Sequence, residues 1–199
     1  PDQLDEVGLR DGEGLLALAL LLPDARAFAA ESKAPPTPLA GIVLRAGDGT
    51  ALEMASAIRH SKATAVVFFS STCPCFAAHR GRLAEIARKL APRGVRVLVV
   101  DSERRSSDEP GQTTAGDGLP VFRDEGGRLA RALDAHYATE SFVFDGAGSL
   151  RYRGGIDDER KVLSSTPKTY LLDELRRLLD GTAPPFVSAK ALGCFLRLR

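Results

Sequence analysis

The most constraining feature of the chain is a change of pattern between residues 65 and 90. Residues 65–69, AVVFF, form a short apolar run rich in β-branched and aromatic side chains, which predicts a buried strand. From Phe76 to Leu90, apolar residues recur at spacings of three, four and seven with charged residues between them, which predicts an amphipathic helix. Cys73 and Cys75 lie where the strand passes into the helix.

This junction favours thiol chemistry. Unpaired backbone N–H groups and the positive end of the helix dipole stabilise a thiolate at the first turn of a helix. Cys73 and Cys75 are therefore candidate redox-active residues. Residues two apart on a helix point to different sides, so a Cys73–Cys75 disulfide requires the first turn to open towards an extended form.

Composition limits the classes of function. A chain of 199 residues with 44% hydrophobic residues can form one well-buried domain with additional tails. Its 27 basic and 26 acidic residues are interspersed, so no nucleic-acid partner is predicted. The 3 cysteines are too few for a disulfide-stapled small domain, and redox or metal chemistry explains them better.

Residues 1–38 are predicted to be an N-terminal extension that ends in a linker at 32–38. The apolar run Leu15–Leu22 is too short to span a bilayer as a helix, so no stable membrane insertion is expected. Small-x-small triplets follow it at 25–29, as in an exported, periplasmic precursor. The acidic segment before it instead favours a partner-packing helix on a cytoplasmic protein.

The remaining pattern predicts an α/β domain over residues 39–181 and a C-terminal tail over 182–199. Strand, helix and strand in succession predict a right-handed crossover in a parallel sheet, and a later pair of apolar runs around a glycine turn predicts an antiparallel hairpin. The expected strands are 42–44, 65–69, 95–100, 119–122, 142–144 and 150–153, and the expected helical segments are 51–58, 76–90, 128–135 and 169–179. Residues 102–118 are polar and predict an exposed loop.

Residues 39–181 resemble the thioredoxin-like redoxins, and in particular the peroxiredoxin-like branch of the alkyl hydroperoxide reductase and thiol-specific antioxidant family. The resemblance rests on four motifs, FFSSTCP at 68–74, LPVFRD at 119–124, SFVFD at 141–145 and YRGGIDD at 152–158. It implies a thioredoxin-like fold, a mixed central sheet flanked by helices. It also implies a thiol-based, antioxidant oxidoreductase that needs no cofactor.

Two departures from the family pattern fall near the cysteines. Ser70 stands at the hydroxyl position that precedes the peroxiredoxin cysteine, but Val66 replaces the proline of that motif. Thr139 occupies the place where thioredoxins carry a cis-proline opposite the cysteine, and a trans peptide is expected there. The resemblance places a pocket around Cys73 that is formed by Ser70, Thr72, Pro74, His136 and Thr139.

The predicted attacking group is Cys73. Its thiolate attacks a peroxide oxygen or a disulfide sulfur and displaces the group bonded to that atom. The oxidised product then requires a second thiol, either Cys75 or Cys194 in the tail. Cys194 is equally interpretable as a small buried hydrophobe. The partners implied are a peroxide or disulfide substrate and a thiol electron donor.

Two other classes of function stay open at this stage. Cys73, Cys75 and His79 are candidate ligands for Cu(I), because thiolates suit that ion and His79 lies one helical turn after Cys75. The remaining alternative is a non-catalytic thioredoxin-like module that binds a partner, and its thiols would then be unreactive.

Overall fold

The computed structural model describes residues 39–104 and 113–198. The predicted extension and linker at 1–38, with its alternative interpretations, therefore lie outside the described residues. In the part of the chain that is described, no helix has both the length and the apolar character needed to cross a membrane.

A single mixed sheet of eight strands organises the described residues, in the order β2-β1-β5-β4-β3-β6-β7-β8. The central pair β3 and β4 is parallel, whereas β6 runs antiparallel to β3 and β7 antiparallel to β6. This combination of a parallel crossover and an antiparallel hairpin is the predicted topology. The strands are β1 (Val43–Ala46), β2 (Ala51–Glu53), β3 (Ala63–Phe69), β4 (Val95–Asp101), β5 (Val121–Arg123), β6 (Ser141–Asp145), β7 (Leu150–Gly154) and β8 (Val187–Ser188).

Within the described ranges, four α-helices cover the sheet: α1 (Met54–Arg59), α2 (Pro74–Leu90), α3 (Arg128–Ala132) and α4 (Tyr170–Leu179). Strand β3 is completely buried because its side chains alternate between two cores. One core joins Val67 to α2 and α4, and the other joins Phe68 to α1 and α3. A strand covered on both faces explains the uninterrupted apolar run in the sequence.

Helix α2 starts and ends where its sequence dictates. Pro74 occupies the first turn, where its missing N–H costs no hydrogen bond, and Cys73 is the N-cap residue. A short 3-10 turn, Ala91–Arg93, closes the helix, and Gly94 follows in the left-handed region at φ 90°. The helix therefore begins at the carboxyl end of β3 and carries the two cysteines in a defined position.

Three local predictions need correction. Residues 51–53 of the predicted helical segment 51–58 form strand β2, and Glu53 then caps α1 by accepting hydrogen bonds from Ala55 and Ser56 N–H. The third helix ends at Ala132 rather than at 135, since Asp134 adopts a left-handed conformation at φ 52°. The exposed-loop prediction is wrong for Ser102 and Glu103, which are buried.

Candidate functional site

Three thiols meet at the start of α2. The sulfur atoms of Cys73, Cys75 and Cys194 all lie within 4.8 Å of one another, and each cysteine is free. Cys73 has an extended backbone, φ −84° and ψ 110°, as expected for a residue before proline. Because Cys73 is extended rather than helical, its side chain and that of Cys75 reach the same cluster without opening the first turn.

The tail reaches the cluster by pairing with the loop before β6. The Ala138 N–H donates to the Cys194 carbonyl at 2.8 Å, and the Leu196 N–H donates to the His136 carbonyl at 2.8 Å. Between these bonds Tyr137 and Phe195 form an antiparallel bridge, and their ring centroids are 4.9 Å apart. The tail thus adds a short extended segment that holds Cys194 beside Cys73.

Gly193 permits this close approach. A Cβ atom at position 193 would overlap the carbonyl oxygen of Ala138 and lie 2.9 Å from Oγ1 of Thr139. Thr139 is trans, as expected, and adopts φ 76°, an unusual value for a β-branched residue. Its N–H donates to the Phe68 carbonyl at 2.8 Å, which fixes the loop against β3.

Glu103 anchors the end of the tail. It is 4% exposed and accepts a hydrogen bond from the Ser70 hydroxyl at 2.9 Å. The Arg197 backbone N–H donates to the same carboxylate at 3.4 Å, as does the Arg197 guanidinium. Ser70 therefore positions an anchor for the tail, while its carbonyl accepts the Cys73 N–H at 3.1 Å.

The two facing thiols differ in acidity. Burial raises the pKa of Cys73, but hydrogen bonds to its sulfur, first from the Cys194 thiol and then from the Phe76 N–H, outweigh burial and lower the pKa overall. Burial and the proton shared with Cys73 raise the pKa of Cys194 to about 11. Cys73 is therefore the more acidic of the two thiols.

His79 belongs to a buried ionic network one turn along α2. Its Nδ1–H donates to the Cys75 carbonyl at 2.7 Å and its Nε2–H to Oδ1 of Asp157 at 2.8 Å. Arg82 donates to the other Asp157 oxygen at 2.6 Å. Both ring nitrogens face acceptors, so the imidazolium is favoured. Burial lowers the pKa of His79, but the bonds to Asp157 and the Cys75 carbonyl outweigh it and raise the pKa.

The other predicted pocket residues lie at the edge of the cluster. Pro74 and Thr72 are exposed at the start of α2, and the Thr72 hydroxyl lies 3.3 Å from that of Ser70. His136 contributes its carbonyl to the tail, while its imidazole is 54% exposed and lies 3.3 Å from Asp134. Sequence reasoning missed Glu103, because it lies in a polar stretch, and missed Asp157, although the motif at 152–158 contains it.

No protein-family model matches the chain. The chain is similar to the thiol:disulfide interchange protein DsbE of Haemophilus influenzae, with 32% identity over 104 residues. The matched segment is 50% of this chain and 54% of that protein, so the chain spans about half the length of the curated relative it matches.

Solved structures share the fold over most of the described residues. A hypothetical protein from Sinorhizobium meliloti superimposes with a TM-score of 0.71 at 25% identity, over 82% of this chain and 94% of its own. Peroxiredoxin Q from Xanthomonas campestris superimposes with a TM-score of 0.51 at 17% identity, over 74% of this chain and 96% of its own. The predicted thioredoxin-like fold is confirmed, and a peroxiredoxin is among the proteins that share it.

The buried His79–Asp157 pair predicts a pH-dependent stability. Asp157→Asn removes the carboxylate, and unfolding in urea near pH 6 should show a loss of about 3 kcal/mol, as for a broken buried ion pair. The raised pKa of His79 means that its contribution is complete below its unfolded pKa of about 6.5 and disappears as pH rises through the folded value. The difference between the two proteins should therefore narrow at alkaline pH.

The lowered pKa of Asp157 sets the lowest pH at which the His79–Asp157 pair stabilises the folded protein. Burial raises that pKa, but the hydrogen bonds from His79, the Glu159 N–H and Arg82 outweigh burial and lower it. The stabilisation is therefore present above the pKa of Asp157 in the unfolded chain, and it is lost as pH falls through the pKa in the folded protein. Exposed Asp158 provides the control: Asp158→Asn should change stability by about 0.5 kcal/mol or less at every pH. A penalty for Asp157→Asn that grows at alkaline pH would contradict the assignment.

Gly193→Ala tests whether close packing holds the tail in place. The added methyl group overlaps the Ala138 carbonyl, so the tail should detach and expose Cys194. The rate at which N-ethylmaleimide modifies Cys194 in the reduced protein, followed by peptide mass spectrometry, should rise at least about tenfold, equivalent to about 1.4 kcal/mol of lost docking. The control is Lys190→Ala, at an exposed position in the tail, which should leave the modification rate unchanged. If Gly193→Ala and the parent protein react at equal rates, packing at Gly193 does not hold the tail.

Proposed function

We propose that the protein is a thiol-based oxidoreductase that reduces small hydroperoxides, with Cys73 as the attacking thiolate and Cys194 as the resolving thiol. The observation that carries the proposal is the cluster at the N-terminus of α2, in which the sulfurs of Cys73 and Cys194 lie within 4.8 Å of one another. In this cluster the Cys73 sulfur, which caps the helix, has a lowered pKa, whereas the pKa of the facing Cys194 thiol is raised to about 11. A nucleophile and its resolving partner therefore stand in contact before any substrate arrives.

In the first step, the Cys73 sulfur attacks one oxygen of the hydroperoxide. The S–O bond forms as the O–O bond breaks, and Cys73 becomes a sulfenic acid. The leaving alkoxide or hydroxide takes a proton from solvent and becomes an alcohol or water. The thiolate is the reactive form, so the hydrogen bonds from Cys194 and the Phe76 N–H raise the fraction of protein that can react.

In the second step, Cys194 attacks the Cys73 sulfenic acid. A disulfide forms, and the hydroxyl group leaves with the Cys194 proton as water. The sulfurs are within 4.8 Å, so a small movement of the tail brings them to bonding distance. An external dithiol then reduces the disulfide by two successive exchanges and restores the starting thiols.

Burial favours a small oxidant as substrate. Cys73 is 2% exposed beneath the docked tail, which leaves little room for a folded protein carrying a disulfide. Disulfide exchange is the second candidate, and the similarity to a thiol:disulfide interchange protein supports it. That reaction uses the same Cys73 thiolate and requires the tail to move aside.

Serine variants of the three cysteines test the proposal. With hydrogen peroxide and dithiothreitol, Cys73→Ser should consume peroxide no faster than buffer, whereas Cys75→Ser should retain activity because Cys75 takes no part in the two steps. With dithiothreitol removed after reduction, Cys194→Ser should still reduce one peroxide per molecule and accumulate a sulfenic acid at Cys73 that dimedone labels. Peptide mapping of the oxidised parent should show a Cys73–Cys194 disulfide.

The same variants separate the alternatives. Peroxide consumption that survives Cys73→Ser contradicts the proposal. Reduction of a disulfide-bonded peptide without peroxide consumption replaces it with disulfide exchange. If neither substrate reacts and none of the three thiols is modified, the protein is a non-catalytic binding module.

A further inference from the structure

We infer that the reduced protein has a Cu(I) site formed by the thiolates of Cys73, Cys75 and Cys194. This goes beyond the proposed peroxide reaction, which uses only Cys73 and Cys194. It also differs from the copper site that the sequence indicates, in which His79 completes the ligand set. The inference rests on a three-sulfur cluster that the docked tail brings together.

The geometry of the sulfurs suits one ion bound to all three. A metal about 2.3 Å from each of three sulfurs in a plane would separate the sulfurs by about 4 Å. The three sulfurs lie within 4.8 Å of one another, so side-chain adjustments of less than an ångström close the cluster around the ion. Cys73 and Cys75 are 2% and 1% exposed, so the ion would be shielded from water on the helix side.

The histidine is already engaged. Both ring nitrogens of His79 are hydrogen-bonded, one to the Cys75 carbonyl at 2.7 Å and the other to Asp157 at 2.8 Å. An imidazole with both nitrogens held in hydrogen bonds has no free nitrogen to offer a metal. His79 therefore supports the backbone of a ligand residue instead of acting as a ligand.

The number and type of ligands favour Cu(I) over Zn²⁺. Structural zinc sites are nearly always tetrahedral with four protein ligands, whereas this cluster of described residues supplies three sulfurs and no histidine or carboxylate. Thiolates are soft ligands that select soft ions such as Cu(I). All three donors are sulfur, so a monovalent soft ion in three-coordinate geometry matches the cluster.

Binding is an exchange of protons for a metal ion, with no change in oxidation state. Cu(I) replaces the protons of whichever thiols are protonated, and these protons pass to solvent. Formation of a Cys73–Cys194 disulfide removes two of the three ligands. Copper binding and peroxide reduction are therefore mutually exclusive states of the same cluster.

The test is an anaerobic titration of the reduced full chain with Cu(I) in competition with the chromogenic chelator bathocuproine disulfonate. We expect one copper ion per chain, and an X-ray absorption spectrum with sulfur alone in the first coordination shell. Cys75→Ser should lower the affinity by more than the roughly 10- to 100-fold typical of losing an outer-shell partner. His79→Gln should retain the all-sulfur shell.

The outcomes separate this inference from the proposed function. Copper binding is measured without peroxide and peroxide consumption without copper, so each activity can fail without the other. Complete loss of copper to the chelator, an unchanged affinity in Cys75→Ser, a nitrogen ligand in the spectrum, or retention of Zn²⁺ in preference to Cu(I) would each overturn the inference. A parallel titration with Zn²⁺ provides the last comparison.

Discussion

Two backbone hydrogen bonds between the tail and the loop before β6 hold Cys194 against Cys73. Without them the helix terminus would carry two neighbouring cysteines and no third thiol. The contact depends on the absence of a side chain at Gly193 and on the carboxylate of Glu103, which lies at the end of β4 and binds both Ser70 and Arg197. The thiol cluster is thus assembled from residues far apart in the chain, and the lowered pKa of Cys73 depends on the Cys194 thiol that the tail brings to it.

A second network keeps the cysteine helix in place from the other side. The buried His79 ring links the Cys75 carbonyl to Asp157, which follows the β6–β7 hairpin, and Arg82 bonds both Asp157 and Glu159. Buried ion pairs contribute modestly to net stability but penalise the loss of one partner heavily. Their role here is positional, since they fix the first turn of α2 relative to the sheet. The tail and this network together define where the three sulfurs lie.

Much of this arrangement follows from local patterns. The apolar run of β3, the periodicity of α2 and α4 and the glycine turn of the β6–β7 hairpin each predict their element, because side-chain periodicity reports burial directly. The cluster itself does not follow from such patterns. Helical geometry predicts that Cys75 points away from Cys73. Cys73 is instead the helix cap, and its extended backbone lets both side chains reach the cluster. Glu103 lies in a stretch whose polarity indicates a loop, and its burial arises only from partners 33 and 94 residues away in sequence.

The acidity of Cys73 is the central claim, and the pH dependence of its alkylation measures it most directly. The rate at which iodoacetamide modifies Cys73, followed by peptide mass spectrometry, should give a pKa below that of an ordinary thiol in the parent chain. Cys194→Ala removes the hydrogen-bond donor, and the pKa of Cys73 should then rise. An unchanged or lower pKa in Cys194→Ala would show that the tail does not activate Cys73, and would contradict the account.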